Sequence, residues 1–208
     1  MKTLKKQLIL LFAALTVTAG MVTAQEETVI NFDNATTGSL PAGWTNATGK
    51  WAVKQNGENK VLAQTAKNSG SHFNVAVYEG VTLKDVEMSV DILANTGNED
   101  QGGGLVWRYY DIKNYYIVRF NPLEDNYRFY KVENGRRIQL ASAGHVRLPE
   151  GKWFTVKVVM KGNKVTCWLN GKKYLEETDD TFTKPGKVGF WTKADAVSDF
   201  DNFRFKGE

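Results

Sequence analysis

KWFTVKVVMKGNKVTCWLNGKKY, residues 152–174, alternates apolar and polar side chains along two arms that pivot on Lys161-Gly162-Asn163-Lys164. A period of two puts successive side chains on opposite faces of an extended strand, and a Gly-Asn centre between two such arms is a hairpin signal. A helix of period 3.6 would scatter the same apolar residues around its circumference. The pattern recurs in KWAVKQN, KVLAQT, FNVAVYEG, VEMSVDIL, GLVWRYY, NYYIVRFN, NYRFYKVENG, GKVGFWT and FDNFRF, with Gly, Asn, Pro and Asp between the runs. About a dozen short strands and no long helical run predict an all-β fold, a two-sheet antiparallel β-sandwich or jelly roll.

The first 24 residues stand outside that pattern. Lys2, Lys5 and Lys6 precede an apolar stretch from Leu8 to Leu15, and Val22-Thr23-Ala24 gives a small-residue cleavage pattern before Gln25. The apolar stretch is shorter than the roughly 20 residues that a membrane anchor needs. We read an export signal over 1–24 and one domain over 25–208, bound for the periplasm or the cell exterior, with no membrane insertion of the mature chain. Removing the signal lowers Lys+Arg from 27 to 24 against 23 acids, so the basic balance belongs to the signal. A nearly neutral domain has no general attraction for phosphate, which excludes nucleic acid as the expected partner. Cys167 is the only cysteine, so no internal disulfide can form, and alternation places it with Val165 and Leu169 on a core-facing side.

Six of the eight tyrosines lie between Tyr109 and Tyr130, in and after QGGGLVWRYYDIKNYYIVRFN (residues 101–121). Alternation divides this stretch into a packing set (Leu105, Trp107, Tyr116, Val118, Phe120) and a presented set (Arg108, Arg119, Asn121). The run from Tyr109 to Tyr115 reads as the turn between two neighbouring strands. In NYRFYKV, Arg128 and Tyr130 oppose Tyr127 and Phe129, so three arginines and a tyrosine share a surface if these strands are neighbours.

The order GGGLVWRYYDIKNYY, GKWFTVKVVMKGNKVTCWLNGKKY and GKVGFWTKADAVSDFDNF resembles the concanavalin A-like lectin/glucanase superfamily. More narrowly it is similar to laminin-G-like domains of secreted bacterial proteins, among them 3-keto-disaccharide hydrolase domains, over nearly the whole mature chain. The resemblance implies a jelly roll of two curved sheets whose concave face receives a glycan or oligosaccharide. Here that face would be lined by Arg108, Arg119, Asn121, Arg128, Tyr130, Trp168, Trp191, Lys193 and Asp195. Aromatic rings suit the apolar face of a pyranose, and Arg, Asn and Asp reach its hydroxyls. The expected partner is such a glycan, met by a monomer.

Catalysis is not assigned. Glycoside hydrolysis usually needs two carboxyl groups about 5–5.5 Å or 6.5–9.5 Å apart. In VEMSVDI, Glu87, Ser89 and Asp91 share a face, but four residues of strand separate the two acids by about 13 Å. The alternate-acid motif of laminarinase-type members is absent. Arg108 matches an arginine of the keto-disaccharide family's Gly-Ile-x-x-Arg stretch, whereas Val106-Trp107 departs from that pattern. His72 and His145 lie in separate segments, without metal-ligand or triad spacing. FDN occurs at 32–34 and 200–202, and in this superfamily the first and last strands lie side by side near a structural calcium, which implies Asp33 and Asp201 as ligands. A slipped alternation between Phe200 and Phe203 suggests a bulge there. Three readings stand: a non-catalytic glycan-binding module, a glycoside-processing hydrolase of the keto-disaccharide type, and an envelope structural domain without a ligand.

Overall fold

The computed structural model describes residues 26–149 and 151–208, so the expected export signal lies outside the described residues. Fifteen strands follow in chain order. They are β1 (Thr28–Ile30), β2 (Trp44–Thr48), β3 (Trp51–Asn56), β4 (Asn59–Gln64), β5 (Phe73–Leu83), β6 (Val86–Thr96), β7 (Gly103–Asp111) and β8 (Asn114–Asn121). Then come β9 (Asn126–Glu133), β10 (Arg136–Ala143), β11 (Trp153–Lys161), β12 (Lys164–Leu169), β13 (Lys172–Thr178), β14 (Gly186–Lys193) and β15 (Val197–Gly207). The described residues contain no helix.

The strands form two antiparallel sheets. One has the order β13-β12-β11-β6-β15-β4-β3 with β1 also on β15, and the other has β10-β9-β8-β7-β14-β5-β2. The expected hairpin forms as read, with Lys161 paired to Lys164 across Gly162-Asn163. The turn between β7 and β8 also falls where expected, but it is shorter, because Tyr109, Tyr110 and Tyr115 belong to the strands.

Alternation sends one set from each sheet into a shared core: Leu105, Trp107, Tyr116, Val118 and Phe120 face Val90, Val156, Val158 and Phe200. Trp107 stacks on Tyr116 and on Phe129, each at 5.5 Å between ring centroids. Phe190 and Phe200 stack across the sandwich at 4.7 Å. Each fully buried side chain of this size contributes about 1.5–3 kcal/mol of transfer free energy. Cys167 lies in this core, as alternation places it, and burial pushes its thiol pKa up, away from nucleophilic use.

β1 pairs with β15, so the first and last strands are neighbours as the resemblance implies. The register slips between Asp201 and Arg204, with Asn202 at φ 51°, which is the bulge the broken alternation suggests.

Candidate functional site

The outer face of the seven-stranded sheet carries the residues that alternation excludes from the core. One cross-strand row runs Ser142–Arg128–Arg119–Gly104–Trp191–Val75. The next runs Gln139–Tyr130–Ile117–Val106–Gly189–Val77. A third begins Arg137–Val132–Tyr115. Val75, Val77, Val106, Tyr115, Ile117, Val132 and Trp191 form a second apolar cluster on this face, separate from the core.

This face is concave. Arg137 sits on the edge strand β10 and Phe73 on β5, five steps away in the sheet order. At roughly 4.8 Å per step a flat sheet would hold their backbones about 24 Å apart. Yet the Arg137 guanidinium lies 5.3 Å from the Phe73 ring, 4.6 Å from Tyr130 and 5.8 Å from Trp191. The sheet must curl for one arginine to reach all three. Arg137 and Phe73 thereby span the trough, and Trp191 is fully buried although it faces away from the core.

Around this bridge the charged groups are packed closely. Arg119, 2% exposed, donates to Asn126 Oδ1 at 2.5 Å, to Glu124 at 3.1 Å and to the Tyr130 hydroxyl at 3.3 Å. Arg128 donates to Ser142 and to Glu124. Lys193 pairs with buried Asp100 at 3.2 Å. Burial raises the Asp100 pKa above the ordinary carboxylate value, against the opposing pull of Arg119 and Lys193. Glu124 goes the other way: burial would raise it, but hydrogen bonds from Asn126 and Arg119, with the Arg119 and Arg128 charges, hold it low.

Two buried polar atoms on this face have no hydrogen-bond partner, Arg119 Nε and Arg137 Nη1, whereas Trp191 Nε1 is directed at the Tyr115 hydroxyl. Buried polar groups are normally paired, because leaving one unmade costs about 1–3 kcal/mol.

Of the residues expected to line the face, Arg119, Arg128, Tyr130, Trp191 and Lys193 come together here. Arg119 and Trp191 are buried rather than presented to solvent, since alternation says which side a residue takes but not what folds over it. Asn121 also faces this side, but its amide is committed to Asp100 and to the turn at Leu123 and Glu124. Asp195 stands apart, its carboxylate accepting from the backbone N–H groups of Asn98, Glu99 and Asp100.

Two expectations are corrected. Arg108 does not join the face, because a register shift between Trp107 and Asp111 and a φ of 43° turn its side chain away. Its guanidinium instead donates to the carbonyls of Lys84, Phe182 and Gly162. Trp168 points outward as alternation requires, but from β12 in the other sheet, where Lys157 lies 5.7 Å from its ring. Sequence reasoning missed Arg137 altogether, along with Asp100, Glu124 and Phe73. The RRIQLASA run has weak alternation, so nothing local marked its second arginine as facing inward.

Asp33 and Asp201 lie near each other and near Asp91. Burial raises the Asp201 pKa, and the negative charges of Asp33 and Asp91 raise it further. Among the described residues no group of three or more His, Cys, Asp or Glu is arranged to hold a metal ion.

Residues 29–206 match the family of 3-keto-alpha-glucoside-1,2-lyase-like domains. The chain belongs to that family. This lyase-like domain is also 26% identical over 163 residues to a levanase of Bacillus subtilis (strain 168), a match covering 77% of the chain. It spans 22% of the levanase's length. Among solved structures it superposes on the carbohydrate-binding module CBM66 from Bacillus subtilis with a TM-score of 0.67, at 23% identity, covering 79% of this chain and 96% of the module. Domain 4 of AbnA, a GH43 extracellular arabinanase from Geobacillus stearothermophilus in complex with arabinotriose, gives 0.57 at 14% identity over 88% and 94%. The domain is thus a carbohydrate-related two-sheet β-sandwich. No helix among the described residues is long and apolar enough to cross a membrane.

Proposed function

We propose that the domain binds a glycan in the concave trough of the seven-stranded sheet, as an exported module acting as a monomer. The observation that carries this reading is the trough itself, where Phe73, Tyr130 and Trp191 lie beside Arg119, Arg128 and Arg137. Of these rings the part-exposed Phe73 can meet a pyranose face, and the Arg128 guanidinium at the rim is open to sugar hydroxyls. The comparison with CBM66 agrees with this reading.

A second reading, glycoside processing, is favoured by Asp100 and Glu124. They reach the same trough from loops, and their environments push their pKa values in opposite directions. Such a split is how one site keeps an acid and a base together.

One experiment separates the two. The chain is titrated calorimetrically with oligosaccharides retained on a glycan array, and is incubated in parallel with a 3-keto-disaccharide. Arg128→Ala is expected to weaken binding at least tenfold, about 1.4 kcal/mol, while Trp168→Ala leaves it unchanged. Equal binding by wild type and Arg128→Ala would remove the trough as the site. Turnover lost in Asp100→Asn with binding retained establishes processing, and no turnover by wild type removes it.

We propose Asp33 and Asp201 as calcium ligands: burial first, and then the charges of Asp33 and Asp91, raise the Asp201 pKa, and a cation would relieve that cost. A group whose pKa is raised on folding costs stability once pH exceeds its unfolded value, so Asp201 costs stability at neutral pH. Calcium at about 100 times its Kd would add about 2.7 kcal/mol, or several degrees in thermal midpoint at about 2–4 °C per kcal/mol. Asp201→Asn is expected to raise the midpoint in chelator and to abolish the gain from calcium. A wild-type midpoint identical in calcium and chelator excludes the site.

A further inference from the structure

The trough holds an imbalance that neutral sugar does not account for. Four cations face it, Arg119, Arg128, Arg137 and Lys193, against two acids, Asp100 and Glu124. Three of the cations are already engaged: Lys193 with Asp100, and Arg119 and Arg128 with a shared Glu124. The Arg137 guanidinium makes no hydrogen bond and no ion pair among the described residues, and rests only on the rings of Tyr130, Phe73 and Trp191.

The unpartnered atoms have the same bias. Arg119 Nε and Arg137 Nη1 can only donate. Arg119 is nearly fully buried, so its guanidinium is a built position rather than a wandering surface group. Burial lowers the Arg137 pKa and the nearby Arg119 charge lowers it further, partly offset by Tyr130, Asp100 and Glu124. A guanidinium nevertheless stays charged at neutral pH, and this part-buried charge has no acid in direct contact to compensate it. Donors in excess, beside a cation without a partner, describe a receptor for oxygen atoms that carry negative charge.

We propose that the glycan taken by the trough is acidic, a sugar bearing a carboxylate, with that carboxylate received by the Arg137 guanidinium. This rests on the reading of the trough as a glycan site and specifies which sugars it takes. The planar guanidinium stacked over the rings can keep its ring contacts while its edge takes a carboxylate in a paired arrangement. The sugar ring then lies beside Phe73, the one part-exposed ring of the three.

The test is a glycan array carrying neutral oligosaccharides, uronic acid-containing oligosaccharides, and the same uronic acid oligosaccharides after carboxyl reduction. The expected result is retention of acidic members with at least tenfold loss after carboxyl reduction. Affinity should fall several-fold between 50 and 500 mM NaCl, on the order of what screening of an ion pair produces. Arg137→Gln should lose at least tenfold for the acidic ligand with little change in thermal midpoint, because the side chain lies on an edge strand. Arg137→Lys, which keeps the charge but not the planar fork, should recover only part of the loss. Equal binding of acidic and carboxyl-reduced forms, or retention of neutral sugars alone, overturns the acidic preference and leaves the glycan site standing. Retention of no glycan overturns both.

Discussion

Arg108→Ala is expected to lower the thermal midpoint by on the order of 10 °C. Arg108 is 2% exposed, and its guanidinium joins three separate segments through the carbonyls of Lys84 at 2.8 Å, Phe182 at 2.5 Å and Gly162 at 2.6 Å. Asp85 stands 3.4 Å away as its counterion. Truncation leaves these acceptors and a half-buried carboxylate without their partner, and breaking such a buried network costs about 3–5 kcal/mol. For a domain of this size each kcal/mol moves the midpoint by about 2–4 °C. Arg108→Lys should rescue little, since an ammonium cannot reach three carbonyls arranged around a planar fork. Calorimetric scans of the three proteins decide it, and a midpoint for Arg108→Ala within about 2 °C of wild type would show that the network carries no weight. The same substitution should leave glycan affinity unchanged in the folded fraction, because Arg108 does not reach the trough.

Gly104→Ala is expected to be worse. Gly104 sits between Arg119 and Trp191 in the central row of the trough. A Cβ there would lie 1.8 Å from the carbonyl oxygen of Val118 and 2.7 Å from the Cα of Arg119. These are backbone atoms, so no rotamer change relieves the overlap, and β7 must separate from β8 at the centre of the sheet. A cost on the order of 4–5 kcal/mol follows, at the extreme of single substitutions. With a urea m-value of about 2–3 kcal/mol/M, the unfolding midpoint should fall by roughly 1.5–2 M, or soluble protein should be lost. Gly144→Ala is the matched control, because a Cβ at Gly144 meets nothing within 4 Å and its backbone needs no left-handed φ. If the two alanine variants unfold at the same urea concentration, close strand approach at Gly104 is not a constraint.

Most of the sandwich was legible because alternation is a local signal. The hairpin at Gly162-Asn163, the core set from Leu105 to Phe120 and the bulge after Asp201 all follow from side chains two residues apart. Arg108 shows where that logic stops: one irregular residue reverses the parity of the rest of its strand, and nothing in GLVWRYY marks the slip. Trp168 shows a second limit, since parity assigns a side of a strand but not the sheet to which the strand belongs. Arg137 shows a third. Its neighbour Phe73 is 64 positions earlier in the chain and five strands away, and they meet only because the whole sheet curls. The trough is therefore a property of curvature, which no short stretch of sequence encodes by itself.

The buried thiol has a practical consequence. Cys167 is the only cysteine in the chain and is completely enclosed between the sheets. A maleimide can reach it only in molecules whose sandwich has come apart, so the rate of its labelling counts excursions to the open state under native conditions. A second cysteine introduced at the exposed tip of a hairpin would react alone in the folded protein, which lets a dye be placed beside the trough without removing any residue that nature put in the core.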